Sequence, residues 1–342
     1  MRVLVVTNMY PSAQYLYYWI FVQEYVDSLR KQGIHVDVFF TDAKRTRAAY
    51  LAELPALLRQ IRSQEYYILH AQHTYCVFQL SLLRPWLRRR PALVFTIHEA
   101  EAFCTADQRD AQADFLKQFV YVKRLKRWAL EAVDRVVSVE RRLSQIIGYQ
   151  GSYETIAPGV DVNLFSPMDM TESRKILSLP EEKPIVFFPA SPRERDFQKN
   201  YKLFQQSQAY WKSPVHVLTA GAIPHEQMPL YMNAANVIVQ TSRYEASPMV
   251  VKEAMACNRP MVSTDVGDVR EFFGDLPGYF LCAHDPQDVA DKIERALQFG
   301  KPTRGRARVF ELKLSLEQTA QKYLALYEQL CQTEKGKVYA HS

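Results

Sequence analysis

The sequence predicts two α/β domains, each a doubly wound parallel β-sheet with helices on both faces. Two observations support this fold class. Short β-branched runs alternate with longer segments of helical periodicity, and 342 residues are too many for one ordinary core. Strands alternating with helices require crossover connections and therefore parallel sheets. Such sheets bind ligands at the carboxyl ends of their strands, so we expect the two domains to face a cleft that holds the substrate.

Eleven short runs are predicted as strands. In the first half they cover residues 3–7, 36–40, 67–70, 93–97, 135–139 and 153–156. In the second half they cover residues 185–189, 216–219, 237–240, 261–263 and 279–281. Between the first two runs, residues 21–32 have apolar side chains at helical spacing, and Gly33 is a natural end for that helix.

Pro and Gly interrupt the pattern between Ile156 and Pro167, which predicts a domain boundary there. We assign residues 1–163 to an N-terminal Rossmann-like domain and residues 164–315 to a C-terminal one. A last helix, over about residues 316–333, has no strand after it. We expect it to pack back on the first domain.

The composition is that of an ordinary globular protein, with 48% hydrophobic and 23% charged residues. No apolar run approaches the ~20 residues of a membrane-spanning helix. The first apolar run is interpreted as a strand and not as a signal peptide. Five cysteines, odd in number and far apart, favour reduced thiols over disulfides or a metal site. These features predict a cytoplasmic protein.

The net charge of +6 is concentrated in the first half of the chain. Two basic clusters next to tryptophan contribute much of it: Arg84, Arg88, Arg89 and Arg90 around Trp86, and Lys123, Arg124, Lys126 and Arg127 before Trp128. They fit a solvated helix face or peripheral contact with an anionic membrane. Nucleic acid is the weakest interpretation, because no recognition motif accompanies the charge.

Two common nucleotide-binding motifs are absent from the sequence. No G-x-G-x-x-G follows the first strand, which argues against a nicotinamide or flavin enzyme. No G-x-x-x-x-G-K-[ST] loop exists, which argues against a P-loop phosphotransferase. A bound anion must therefore be held by side chains and helix ends.

The second domain offers such an anion site. Arg193, Arg195 and Lys199 follow a predicted strand and could clamp a diphosphate, although in isolation a solvated charged loop is the better interpretation. After the next-but-one strand, Glu245 precedes a helix that contains Glu253. The start of that helix favours a phosphate, and a carboxylate beside a phosphate is suited to accept hydrogen bonds from sugar hydroxyls. The alternative for Glu253 is a surface position on an amphipathic helix.

These residues resemble the retaining GT-B glycosyltransferases of family 4. The E-x7-E element from Glu245 to Glu253, followed by Ala-Met-Ala-Cys-Asn-Arg-Pro-Met-Val, is similar to that family's signature. The resemblance extends over nearly the whole chain, through residues 7–11, 21–38, 94–98, 156–167 and 195–200. Three positions depart from the family pattern: Trp19 and Ala246 stand where glycine is common, and Glu194 stands where arginine is expected.

The resemblance implies a role for each matching residue. Glu253 would bind the ribose of the nucleotide, and Glu245 the hydroxyls of the transferred sugar. Lys199, with Arg193 or Arg195, would hold the diphosphate and stabilise the leaving group. Ser247 and the backbone of Met249 and Val250 would bind phosphate at the helix start. His98 would project from the first domain towards the donor sugar.

The implied function is sugar transfer with retention of configuration, from a nucleoside diphosphate sugar to a glycan or lipid-linked acceptor in cell-surface polysaccharide biosynthesis. The resemblance implies no metal and no other cofactor. Two alternatives remain open: a nucleotide-sugar epimerase of similar fold, and a non-catalytic partner protein with the same fold. His70 and His73 are candidates for the acceptor side, or histidines that make local hydrogen bonds.

Overall fold

The structure is a computed structural model. It describes residues 1–11, 20–42, 48–87, 89–98, 128–143, 149, 151–192, 197–221 and 223–340. The chain divides into two compact units. The first comprises Met1–Ala157 and Glu317–Ser342, and the second comprises Pro158–Leu316.

The first unit is built on a six-stranded parallel sheet with the strand order β2-β1-β3-β4-β5-β6. Its strands are β1 Arg2–Thr7, β2 His35–Phe40, β3 Ile68–Ala71, β4 Ala92–Ile97, β5 Arg135–Ser138 and β6 Tyr153–Thr155. Its helices are α1 Ile20–Lys31, α2 Ala49–Ala52, α3 Leu54–Ser63, α4 Thr74–Leu83 and, at the far end of the chain, α12 Leu316–Ala340, which begins one residue before the unit resumes.

The second unit is built on a five-stranded parallel sheet with the order β11-β10-β9-β7-β8. Its strands are β7 Ile185–Phe188, β8 His216–Thr219, β9 Val237–Gln240, β10 Met261–Thr264 and β11 Tyr279–Cys282. Its helices are α5 Met170–Ile176, α6 Tyr201–Ser207, α7 Met228–Ala234, α8 Met249–Ala256, α9 Val269–Phe273, α10 Pro286–Phe299 and α11 Gly305–Glu311. Short 3-10 turns lie at Arg84–Trp86 in the first unit, and at Gln208–Tyr210 and His225–Gln227 in the second.

The predicted fold class is confirmed. Every predicted run is a strand, and each strand end lies within one residue of its predicted position. The reason is burial on both faces of the sheets. Val3, Leu4, Val5 and Val6 of β1 are all fully buried, and all of β7 is buried, so these strands consist of apolar and β-branched residues without alternation.

Local signals fix the helix ends. The Asp285 side chain accepts a hydrogen bond from the Asp288 backbone N–H at the start of α10, and that helix ends at Gly300, which has a φ of 60°. Asp169 caps α5 in the same way, through the backbone N–H of Glu172. Both caps are predictable from the residue type at the helix start.

The last helix contributes to the core of the first unit. Its side chains Ala320, Tyr323, Leu326, Tyr327 and Leu330 belong to one apolar cluster with residues of β1, β3, β4 and α1. A separate cluster fills the second unit, between its sheet and helices α6 and α10.

Each sheet contains a point where the strand order reverses. In the second sheet this point lies between β7 and β9, because β8 continues outward from β7 while β10 and β11 continue from β9. Loops at the carboxyl ends of the two strands beside such a point form the usual ligand site of an open α/β sheet. The loops that follow β7 and β9 are therefore the place to look for function.

Candidate functional site: a donor-type site at the β7 and β9 loops

The loops after β7 and β9 are hydrogen-bonded to each other. The backbone N–H of Arg243 donates to the carbonyl oxygen of Gln198 at 2.8 Å, and the Thr241 hydroxyl donates to the carbonyl oxygen of Asn200 at 3.0 Å. Asn200 has a φ of 51°, a left-handed conformation that asparagine tolerates, and it ends the turn just before α6. This turn fixes the position of Lys199.

Lys199 and Glu245 form an ion pair across these two loops. The Nζ of Lys199 lies 2.6 Å from Oε1 of Glu245, and the Ser242 hydroxyl donates to the same oxygen at 2.9 Å. The Glu245 side chain is 11% exposed and that of Lys199 is 35% exposed. A diphosphate held by Lys199 would therefore lie next to Glu245, and a sugar attached to it would be within reach of that carboxylate.

Ser247 and Pro248 precede α8, which begins at Met249. Met249 and Val250 occupy its first turn, so their backbone N–H groups are among those that no carbonyl of the helix can accept. These donors and the helix dipole favour a negative charge at this end. Glu245, Ser247, Met249 and Val250 thus lie in one short segment of loop and helix start, and Glu245 of this segment contacts Lys199.

Glu253 lies inside α8 and is only 7% exposed. The surface-residue interpretation is therefore wrong, because residues on a solvated helix face would be open to water. A buried carboxylate is costly unless hydrogen bonds or charges stabilise it. Its ammonium neighbour in the sequence, Lys252, supplies such a charge.

Lys252 was not predicted as a site residue. It is fully buried, and its Nζ donates to the carbonyl oxygen of Pro158 at 2.8 Å and to the Ser247 hydroxyl at 3.1 Å. Burial lowers its pKa to about 8, while the nearby Asp268 and Glu253 act in the opposite direction. The sequence did contain a signal, since a lysine among the apolar residues of α8 is seldom found there without a partner.

Gly267 supports the backbone next to Glu245. Its φ is 55°, and a Cβ at this position would lie 2.7 Å from the carbonyl carbon of Ala246 and 2.9 Å from the carbonyl oxygen of Glu245. The backbone N–H of Asp268 donates to the Ala246 carbonyl at 3.2 Å. Ala246 itself is not among the non-glycine residues of positive φ in the described part of the chain, so its methyl group imposes no backbone strain there.

Comparison with known protein families gives the decisive observation. The model of glycosyl transferases group 1 matches residues 196–308, which include Lys199 and the whole loop after β9, and the model of glycosyltransferase family 4 matches residues 2–164. Together the two matches cover most of the chain, one for each unit. The chain belongs to the group 1 glycosyltransferases of GT-B fold.

Solved structures support the same fold for this group 1 glycosyltransferase. A sucrose-phosphate synthase from Thermosynechococcus elongatus has a TM-score of 0.78 at 20% identity, over 96% of this chain and 99% of that one. The Anabaena protein Alr3699/HepE in complex with UDP has a TM-score of 0.71 at 14% identity, over 96% and 100% of the two chains.

Sequence relatives match over shorter stretches. A putative teichuronic acid biosynthesis glycosyltransferase, TuaC from Bacillus subtilis, is 30% identical over 155 residues, which is 44% of this chain and 39% of the relative. The chain thus matches less than half the length of the curated relatives that head the comparison.

His98 lies in the first unit of this glycosyltransferase, directly after β4, and is partly buried. Its Nε2 lies 2.6 Å from Oε1 of Gln72, which follows the neighbouring strand β3, and its ring packs against Phe21 with the ring centroids 5.2 Å apart. Sequence analysis did not identify Gln72. Gln72 follows β3 and His98 follows β4, so Gln72 can be recognised as a partner of His98 only once these strands are known to be neighbours.

The other two histidines of this region make internal contacts. His70 lies in β3 and is fully buried, and burial lowers its pKa to about 3. His73 precedes α4, where its Nδ1 accepts a hydrogen bond from the Tyr75 backbone N–H at 3.3 Å. The hydrogen bond of His73 is local, as the alternative interpretation expected. His70 is instead bonded to Tyr25, Thr96 and Tyr327, which are distant in the sequence, and its complete burial makes an acceptor-lining role wrong.

Several predicted residues fall outside the described ranges. They are Trp19, Arg88, Arg193, Glu194, Arg195 and the basic residues of 123–127. Of the first basic cluster, Arg84 pairs with Asp134, with its Nη2 2.8 Å from Oδ2. Arg89 pairs with Glu65 but remains exposed, as does Arg90. Trp86 is 65% exposed and Trp128 is 39% exposed.

In the described part of the chain, no helix combines the length and the apolar character needed to cross a bilayer. The same residues contain no group of three or more His, Cys, Asp and Glu side chains that could hold a metal ion.

Proposed function

We propose that this chain is a retaining glycosyltransferase that moves a hexose from a nucleoside diphosphate sugar to a glycan or lipid-linked acceptor. The observation that supports this most directly is the 2.6 Å pair of Lys199 and Glu245 at the reversal point of the second sheet. A cation and a carboxylate side by side suit a ligand in which a diphosphate is joined to a polyhydroxylated ring.

Each residue has a defined task in this proposal. Lys199, with Arg193 or Arg195, holds the diphosphate, and Ser247 with the N–H groups of Met249 and Val250 binds it at the start of α8. Glu253 accepts hydrogen bonds from the ribose. Glu245 accepts hydrogen bonds from the transferred sugar, and His98 contacts the same sugar.

The proposed chemistry depends on charge stabilisation. As the sugar–oxygen bond breaks, negative charge grows on the diphosphate, and the fixed ammonium of Lys199 stabilises it. The leaving diphosphate takes the proton of the acceptor hydroxyl, which attacks from the same face, so the configuration is kept. Because Lys199 and the arginines supply the positive charge, the proposal requires no metal ion, and activity should persist in EDTA.

We propose a cell-surface polysaccharide as the product and the cytoplasmic side of a membrane as the place of reaction. The name of the Bacillus subtilis relative, which refers to teichuronic acid biosynthesis, supports this product class. The exposed Trp86, Arg89 and Arg90 support peripheral contact with anionic lipid.

The donor is tested by thermal shift with UDP, GDP, ADP and their sugars, beginning with UDP, which the Anabaena protein binds. The product of the stabilising donor is then analysed by NMR. Retention of the anomeric configuration is expected. An inverted product, an epimerised free donor, or no stabilisation by any nucleoside diphosphate would contradict the proposal.

The clamp is tested with Lys199→Ala. Loss of one preorganised charge at the leaving group lowers kcat by about 100-fold or more. Lys202→Ala is the matched control, because Lys202 is an exposed lysine three residues away on α6. Equal kcat for wild type and Lys199→Ala would exclude the clamp.

A further inference from the structure

A chain of polar side chains runs through the core of the first unit, from the last helix to His98. On α12, the Tyr327 hydroxyl is hydrogen-bonded to Nδ1 of His70. On the other side of the same ring, Nε2 of His70 lies 3.2 Å from Nε2 of Gln72, and Oε1 of Gln72 lies 2.6 Å from Nε2 of His98. His70, Gln72 and Tyr327 are all at most 2% exposed.

The protonation state of His70 limits how this chain can be arranged. Burial lowers the pKa of His70 to about 3, with a smaller contribution from His98. The ring is therefore neutral at physiological pH and has one N–H. One of its nitrogens donates a hydrogen bond and the other accepts one.

The amide of Gln72 connects His70 to His98. Its NH2 group can only donate, and it lies 3.2 Å from Nε2 and 3.4 Å from Nδ1 of His70, so whichever of these nitrogens lacks the proton can accept from it. The carbonyl oxygen of Gln72 can only accept, so Nε2 of His98 donates to it.

Hydroxyl groups surround the ring of His70. The Thr96 hydroxyl lies 2.7 Å from Nε2 of His70 and 3.1 Å from the Tyr323 hydroxyl. Tyr25, whose oxygen lies 2.9 Å from Nδ1 of His70, is also hydrogen-bonded to Tyr327. Each hydroxyl can donate or accept, so the His70 ring is held on both sides in either tautomer.

We propose that Gln72, held by His70 in a relay formed by Tyr327, His70, Gln72 and His98, is a positioning residue that fixes the ring orientation and the Nε2–H tautomer of His98. The last helix thereby contributes to function beyond its apolar packing. The effect on sugar transfer rests on the proposed function, whereas the tautomers themselves do not.

The tautomers are measured by two-bond ¹H–¹⁵N correlation NMR on ¹⁵N-histidine-labelled protein without substrate. We expect Nε2–H for His98. In Gln72→Glu the carboxylate still accepts from His98, so the Nε2–H signal persists, whereas Gln72→Met loses it. Gln79→Met is the control: Gln79 is equally buried in the same unit, but its amide donates to the carbonyl oxygen of Tyr50, outside the relay.

An Nδ1–H tautomer of His98 in the wild type, or a His98 signal that neither Gln72 variant changes, would overturn the proposal.

Activity supplies a separate readout. We expect kcat to fall about 10-fold in Gln72→Met and to recover in Gln72→Glu, with the affinity for nucleoside diphosphate unchanged. Equal kcat values for the two variants would overturn the functional part of the proposal. A protein with no transfer activity but with the expected tautomers would contradict the proposed function and leave the relay intact.

Discussion

The Nζ of Lys252 lies 2.8 Å from the carbonyl oxygen of Pro158. This contact ties α8, the helix that follows Glu245, to the first residue of the second unit, and Lys252 is fully buried there. Burial lowers the pKa of Lys252 to about 8 from its ordinary 10.5. Between these values unfolding takes up a proton, because the unfolded chain still binds it, so stability rises with pH.

We therefore predict a stability difference between wild type and Lys252→Met that depends on pH. Relative to the variant, the wild type should gain about 3 kcal/mol between pH 8 and 10.5. Urea unfolding over this range measures it, and Lys202→Met, at an exposed site, should follow the wild type. Parallel curves for wild type and Lys252→Met would show that Lys252 is not buried as a cation.

Gly267→Ala should destabilise the second unit and disturb the Glu245 loop. The left-handed φ costs about 1–2 kcal/mol for alanine, and the contact with Ala246 adds to this cost. Gly221→Ala is a matched control, because Gly221 also has a positive φ of 45° but has no atom within 4 Å of a Cβ. Thermal unfolding should show the larger loss for Gly267→Ala, together with weaker donor binding. Equal losses would mean that the contact is unimportant.

Glu253 should distinguish ribose from deoxyribose. A hydrogen bond to a carboxylate contributes about 1.5–3 kcal/mol, so the wild type should bind a 2′- or 3′-deoxynucleoside diphosphate at least about 10-fold more weakly. In Glu253→Ala the deoxy and ordinary nucleotides should bind with equal affinity in calorimetry. Persistent discrimination in the variant would assign ribose recognition to another residue.

Arg89 and Arg90 should contribute to membrane binding. Arg89 contacts Glu65, but its side chain is 76% exposed, whereas the Arg84 side chain is 22% exposed and held by Asp134. Basic residues near an anionic surface contribute about 1 kcal/mol each, so Arg89→Ala/Arg90→Ala should lower the partition coefficient onto phosphatidylglycerol vesicles about 30-fold. The control is the pair of exposed residues Arg141 and Arg142, also changed to alanine. No binding by the wild type, or equal loss in the control, would refute this surface.

The fold was predictable because its signal is local. Runs such as Val3–Val6 are apolar on both faces, and the residues between strands have helical spacing, so each element can be identified without its neighbours. Glu245, Glu253 and Lys199 were found in the same way, each from its place after a strand or in a helix.

Contacts between residues far apart in the chain were not predictable. Lys252 and Pro158 are one example, and Gln72 with His98 is another. The second pair depends on β3 and β4 being neighbours, and the first on the Lys252 side chain facing inward. The sequence also did not reveal that Lys199 and Glu245 pair with each other, since each had been assigned to a different part of the donor.

The last helix has a consequence for how the protein is made. Its side chains complete the core of a sheet formed by the first 157 residues, yet they are synthesised after all of Pro158–Leu316. The second unit is therefore complete on the ribosome while the first still exposes the apolar surface that α12 will cover. Domains generally fold in order from the N-terminus, whereas here the core of the N-terminal unit can be completed only after the second unit has been synthesised.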